Sequence, residues 1–164
     1  MGVLTYAEVG ATRGAALPPG YGHLQRERVI GRGSVEFERA AEAVMEWGLQ
    51  RGAGLGVQAD AERAARGVRV TVRLGVGPFG VSAPCVVVYT YEETRRRGFA
   101  YGTTAGHPES GEELFVVELR DDESVVLRVR AFSRPASWWS RAGSPVARLV
   151  QSRITERYLR ALDG

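Results

Sequence analysis

Apolar residues recur along this chain at two different periods, and the switch between them separates helical from extended parts. Phe37, Ala40, Ala41, Val44 and Trp47 fall at helical spacing behind Ser34, a suitable N-cap. Glu36 and Glu38 occupy the first turn, where the helix dipole favours negative charge. The spacing predicts one helix with an apolar face, ended by Gly52, Gly54 and Gly56, and a second, shorter helix or loop over 59–66. After Gly67 the period becomes two: Val68, Val70, Val72 and Leu74 share one face, and Arg69, Thr71 and Arg73 the other, as in a half-buried antiparallel strand. Further strands are expected over 26–30, 85–91, 98–104, 114–119 and 125–132, the last two joined at Asp121-Asp122-Glu123. The unbroken run Cys85-Val86-Val87-Val88-Tyr89 suits a strand covered on both faces or central in its sheet. The first 25 residues, punctuated by Gly10, Gly14, Pro18-Pro19-Gly20 and Gly22, are expected to wrap the domain.

Near the end, Ser144 and Pro145 open a last helical pattern: Val146, Leu149, Val150, Ile154, Tyr158, Ala161 and Leu162 form the stripe, with Arg148, Arg153, Arg157 and Arg160 away from it. With only one helix long enough to span the sheet, the sheet must bury its apolar face there. The expected architecture is therefore α+β, a curved antiparallel sheet wrapped around a long C-terminal helix, in a single domain over 1–164. This succession resembles the helix-grip fold of the START and Bet v 1-like superfamily, whose members hold lipids, hormones or polyketides between sheet and helix. A two-layer sandwich with a filled core is the competing arrangement.

Composition narrows the function classes. A chain of 164 residues, 44% of them hydrophobic, can bury a core without staples, and its single cysteine, Cys85, permits neither an internal disulfide nor a cysteine-built zinc cluster. No apolar run reaches the ~18 residues of a membrane span, the start lacks the segments of a secretory signal, and the expected location is the cytoplasm. All 22 basic residues are arginine, against 19 acidic ones; the net charge of +3 is small, and nucleic acid is not the expected partner despite Arg95-Arg96-Arg97. A homodimer is left open. No cofactor is expected.

The stretch 98–113 combines aromatic residues, glycines and His107 among carboxylates. Together with Gly10-Ala11-Thr12-Arg13, Leu17-Pro18-Pro19-Gly20-Tyr21 and Ala131-Phe132-Ser133-Arg134-Pro135-Ala136, it resembles the domain-of-unknown-function 1990 family over most of the chain. The region 52–66 looks generic, and the resemblance carries no established reaction with it.

His107 is the candidate acid or base, with Glu109 or Glu113 orienting it; the alternative is a tight turn in which these side chains cap backbone groups. Arg134 could hold an anionic ligand group or pair with Glu109 or Glu113, and Arg13 carries the same ambiguity. Tyr89 and Tyr101 could line a pocket, and Trp138 could gate it. A metal would require His23 and His107 to converge with a carboxylate, and none is expected; Cys85, inside an apolar strand, reads as packing. The expected function is binding of a small, mainly apolar molecule between sheet and helix, with Arg13, Tyr101, His107 or Arg134 selecting its polar end. The alternatives are an enzyme using His107 in the same hollow, and a protein-interaction module with a filled core. Whether any reaction is catalysed stays open at this point.

Overall fold

The computed structural model describes residues 3–137 and 144–163. β1 (Gly22–Arg32) leads into α1 (Gly33–Met45) and α2 (Gly48–Gly52). Six strands follow, β2 (Gly56–Ala59), β3 (Arg69–Leu74), β4 (Val81–Glu92), β5 (Arg96–Thr103), β6 (Glu109–Leu119) and β7 (Ser124–Pro135), and then α3 (Ser144–Arg160). All seven strands join one antiparallel sheet in the order β1-β7-β6-β5-β4-β3-β2. The helices α1 and α2 carry the chain from one edge of that sheet to the other, across its inner face. Irregularities at Val29/Gly31 and Val87/Tyr89 help bend it, because an extra residue in one strand increases local twist.

The apolar periods settle the inner face. Phe37, Ala40, Ala41 and Val44 from α1 pack against Phe99, Phe115 and Val117 of the central strands, and Val70 and Val72 of β3 face the same way. The helix boundaries differ from the expectation. No side chain caps α1: Arg32 occupies the N-cap, Ser34 lies within the helix, and the chain enters through Gly33 at φ 88°, its N–H donating to the Glu123 carbonyl at 2.8 Å. At the far end the helix stops at Met45, seven residues before Gly52, because Trp47 adopts a left-handed conformation (φ 67°). That break turns the Trp47 ring into the core, where it meets Phe99 edge-on at 5.2 Å and donates from Nε1 to the Ala61 carbonyl at 3.0 Å. Burial of one large ring outweighs the cost of its backbone.

The region 59–66 holds no helix; the chain forms the short edge strand β2 before it. β6 begins at Glu109, five residues ahead of its expected start, so Glu109, Glu112 and Glu113 stand on a strand and not in a turn. The outer face of the sheet is covered too. Val86, Val88, Tyr89, Ala100, Leu114 and Val116 lie there, with Leu4 and Tyr91 packed on them. The N-terminal segment crosses them, including a single 3-10 turn at Ala11–Arg13. Gly102 admits it, since any side chain at that position would collide with the Tyr6 ring.

α3 grips the sheet by its second half. Tyr158, Leu159 and the following Leu162 are buried, whereas Leu149 and Val150 near its start are 55% and 36% exposed. None of the described helices is long and apolar enough to cross a membrane.

Candidate functional site

Where α3 stands off the sheet, a hollow of about 390 Å³ lies between them. Its floor consists of small residues, Ala83, Thr103, Gly111, Ala131 and Ser133, one or two from each of four neighbouring strands. Leu55, Val72, Leu74 and Val81 wall one side, and Val150, Ile154 and Tyr158 of α3 form the roof. Small floor residues beneath a long helix leave room that larger ones would fill.

The polar groups fall into two sets. Tyr101 and Glu113 are direct cross-strand neighbours on the inner face, and Tyr158 descends on them from α3. Burial holds both tyrosine hydroxyls well above their ordinary range, so they stay neutral. Burial also raises the Glu113 carboxyl to about 7. A carboxyl at that value takes up and releases protons near neutrality, the property a general acid–base requires. Glu113 has no hydrogen-bond partner among the described residues. Behind Tyr101, the Gln50 amide is fully buried beside the phenol but outside hydrogen-bonding geometry, and both its polar atoms are unpaired.

The second set is His107 and Glu109, at the turn from β5 into β6. The Glu109 N–H donates to His107 Nδ1 at 2.9 Å, which commits the ring's lone pair and leaves Nε2–H as a donor. Desolvation lowers His107 to about 4, so the ring is neutral near pH 7. It therefore offers a hydrogen bond to the hollow and is poorly placed to accept a proton. Glu109 is raised by burial, with Arg148 acting in the opposite direction.

Other expected site residues stand elsewhere. Arg13 lies on the outer face with its guanidinium 3.9 Å from the centre of the Tyr89 ring, and Tyr89 itself faces outward. Arg134 is also outside: it pairs in register with Ser110 and stacks on Tyr21 at 4.6 Å, so it reaches neither Glu109 nor Glu113. Trp138 lies outside the described residues. His23 is exposed and donates from Nε2 to the Pro18 carbonyl at 2.7 Å. Cys85 lines the hollow, and burial pushes its thiol up, away from reactivity. In the Arg95-Arg96-Arg97 cluster, Arg95 bonds the Leu119 and Arg120 carbonyls, Arg96 pairs with Glu93 and Arg97 with Glu38. Those guanidiniums are engaged locally.

Comparison with known proteins places this geometry. Residues 5–161 match the family described as domain of unknown function DUF1990. The chain belongs to the DUF1990 family. A UPF0548 protein of Deinococcus radiodurans is 31% identical over 169 residues, spanning 96% of this chain and 85% of that one. A UPF0548 protein of Arabidopsis thaliana is 36% identical over 77 residues, 43% of this chain and 38% of the other. Among solved structures, a hypothetical protein of Helicobacter pylori aligns with TM-score 0.67 at 13% identity, covering 88% of each chain. The major latex-like protein 151 of Panax ginseng aligns with TM-score 0.53 at 13% identity over 87% of this chain and 98% of its own. The fold of this DUF1990 chain is thus the Bet v 1-like helix grip.

The DUF1990 motifs then acquire a structural meaning that sequence reasoning missed. Glu112, 3% exposed, accepts from the Tyr6 hydroxyl (2.7 Å), the Gly10 N–H (2.7 Å), the Thr12 N–H (3.0 Å) and the Thr12 hydroxyl. Arg130 beside it donates to the Thr12 and Gly14 carbonyls, both at 2.6 Å, and to that of Ala15. Gly10-Ala11-Thr12-Arg13 is therefore a clasp against the outer face. The alternation of β7 carried the signal: Arg130, Phe132 and Arg134 must share the face opposite Val129, Ala131 and Ser133.

Proposed function

We propose that this DUF1990 protein binds a small, mainly apolar molecule in the hollow between the sheet and α3. The observation that carries this reading is the space itself, about 390 Å³ and walled mainly by aliphatic side chains, within the size range of ligand sites. The helix-grip fold supports it, since a sheet curved around a helix leaves its interior between the two. Burying ~200 Å² of ligand surface at ~25 cal/mol per Å² contributes ~5 kcal/mol before the cost of association. His107 Nε2–H, Tyr101 and Glu113 orient the polar end.

The test uses a neutral apolar fluorophore, N-phenyl-1-naphthylamine, together with native mass spectrometry of the purified protein. The expected results are saturable fluorophore uptake and a bound small molecule by mass, both lost in Ala83→Trp, whose indole would occupy the floor without lowering the unfolding temperature. No uptake and no bound mass in the wild-type protein would overturn the reading.

A further inference from the structure

The hollow has an electrostatic sign, and it is the opposite of the chain's. The protein carries 22 arginines and a net charge of +3, yet no arginine is among the described residues lining the space, while Glu109 and Glu113 are. Two adjacent residues of β6 display the contrast. Glu112, facing out, is saturated by four hydrogen bonds, as a structural buried carboxylate must be. Glu113, facing in, has none among the described residues. The groups packed around it from the other elements are Tyr101 of β5, Cys85 of β4 and Tyr158 of α3, with Gln50 of α2 behind Tyr101 and Glu109 further along β6. Among the described residues every one of these is neutral or acidic, the one cation nearby being Arg148 of α3, which acts on Glu109.

We propose that the ligand is an organic cation, an apolar body ending in a protonated amine, and that Glu113 is its counter-charge with Tyr101 and Tyr158 as flanking hydroxyls. This rests on the binding function proposed above. A half-buried carboxylate facing an apolar hollow is costly to charge, and it is relieved either by protonation or by a cation that brings its own hydrogen-bond donors. An ammonium supplies three donors. A ligand carboxylate or phosphate would meet Glu113 with no guanidinium among the described lining residues to offset the repulsion, Arg148 of α3 acting on Glu109 instead, which disfavours anionic amphiphiles by the same reasoning. An alcohol can bond the carboxyl but gains no charge pairing. In a site of low polarity the charge-assisted bond exceeds the neutral one by roughly 1.4 kcal/mol or more, about tenfold in affinity.

Binding must also move a proton. Near pH 6.5 much of the Glu113 population is protonated, and pairing with an ammonium requires the carboxylate, so the complex releases that proton. Neither Tyr101 nor Tyr158 competes, both being held neutral by burial.

The experiment compares three molecules with one body, 4-phenylbutylamine, 4-phenylbutan-1-ol and 4-phenylbutyrate, by calorimetry at pH 8 and at pH 6.5 in buffers of differing ionisation enthalpy. The expected order at pH 8 is amine, alcohol, acid, the amine about tenfold tighter than the alcohol. Proton release accompanies the amine at pH 6.5 and not the alcohol. In Glu113→Gln the amine falls to within about twofold of the alcohol, the proton release disappears, and the alcohol binds as before, which shows the variant folded. Equal affinity for amine and alcohol, tighter binding of the acid, or an amine preference that survives Glu113→Gln would overturn the assignment. If the neutral naphthylamine probe is taken up but the amine shows no preference, only the cationic ligand fails; if neither the probe nor any of the three binds, the hollow's function fails with it.

Discussion

Glu112 and Glu113 share a strand and a side-chain chemistry, and the alternation of the strand assigns them opposite duties. The outward one is a fastening and the inward one is a titrating group. Folding raises Glu113 from 4.5 to about 7, so the stability it contributes is complete below 4.5 and is lost as pH rises through 7, up to about 3 kcal/mol. Glu109, also raised by burial, acts in the same direction. His107 opposes them: folding lowers it from 6.5 to about 4, so its contribution is complete above 6.5 and is lost as pH falls towards 4. Between pH 4.5 and 6.5 the two slopes offset one another in the wild-type protein. Thermal unfolding across that window should therefore show stability rising with pH in Glu113→Gln, and falling with pH in His107→Asn, which keeps an acceptor for the Glu109 N–H. Parallel curves for the two variants would refute these assignments. Exposed carboxylates held low by arginines, such as Glu36 and Glu38, act equally in every variant.

Between elements, the fastenings are unequal in a way that substitution can measure. Glu112→Ala strands the Tyr6 hydroxyl and the Gly10 and Thr12 N–H groups beneath the N-terminal segment. A loss of ~3 kcal/mol in urea unfolding is expected, with faster amide exchange at Gly10 and Thr12. Glu113→Ala, one residue away, leaves no donor unpaired among the described residues, and its stability at pH 7 should lie within about 1 kcal/mol of wild type or above it. At the opposite face, α2 and α3 approach so closely at Gly52 that an added Cβ would stand 2.8 Å from the Ala161 Cβ. Gly52→Val should cost about 1–3 kcal/mol by forcing the end of α3 away from the core, seen as a lower denaturation midpoint. The same elements show where local pattern misleads. Period two along β4 assigns Tyr89 to the face of Cys85 and Val87; the bulge between Val87 and Tyr89 sends it to the other. The early part of β6 was illegible as a strand because its polar residues answer to the N-terminal segment and to the hollow instead of to solvent.

For the whole molecule, filling the hollow should couple to folding by mass action. The naphthylamine probe at about 100 times its Kd should add about 2.7 kcal/mol to the unfolding free energy of the wild-type protein and nothing to that of Ala83→Trp, measured as a shift in unfolding temperature. The grip makes this coupling natural, since sheet and helix meet on either side of the space.

What the sequence determined by itself is the alternation of periods. Phe37 to Val44 had to bury one helical face, and Val70, Val72, Phe115 and Val117 one sheet face, and with a final amphipathic helix those demands leave few arrangements besides a curved antiparallel sheet around a rod. The His107 turn was also readable, because its donor lies two residues away. Only the tertiary structure decided which carboxylate is saturated and which is bare, that Arg13 and Arg134 stack outside while Glu113 looks in, and that Gln50 sits buried and unpaired. The physical reason is range: helix and strand periods arise from neighbours within a few residues, whereas the company of Glu112 and Glu113 comes from segments about 100 residues distant on one side and from β4, β5 and α3 on the other.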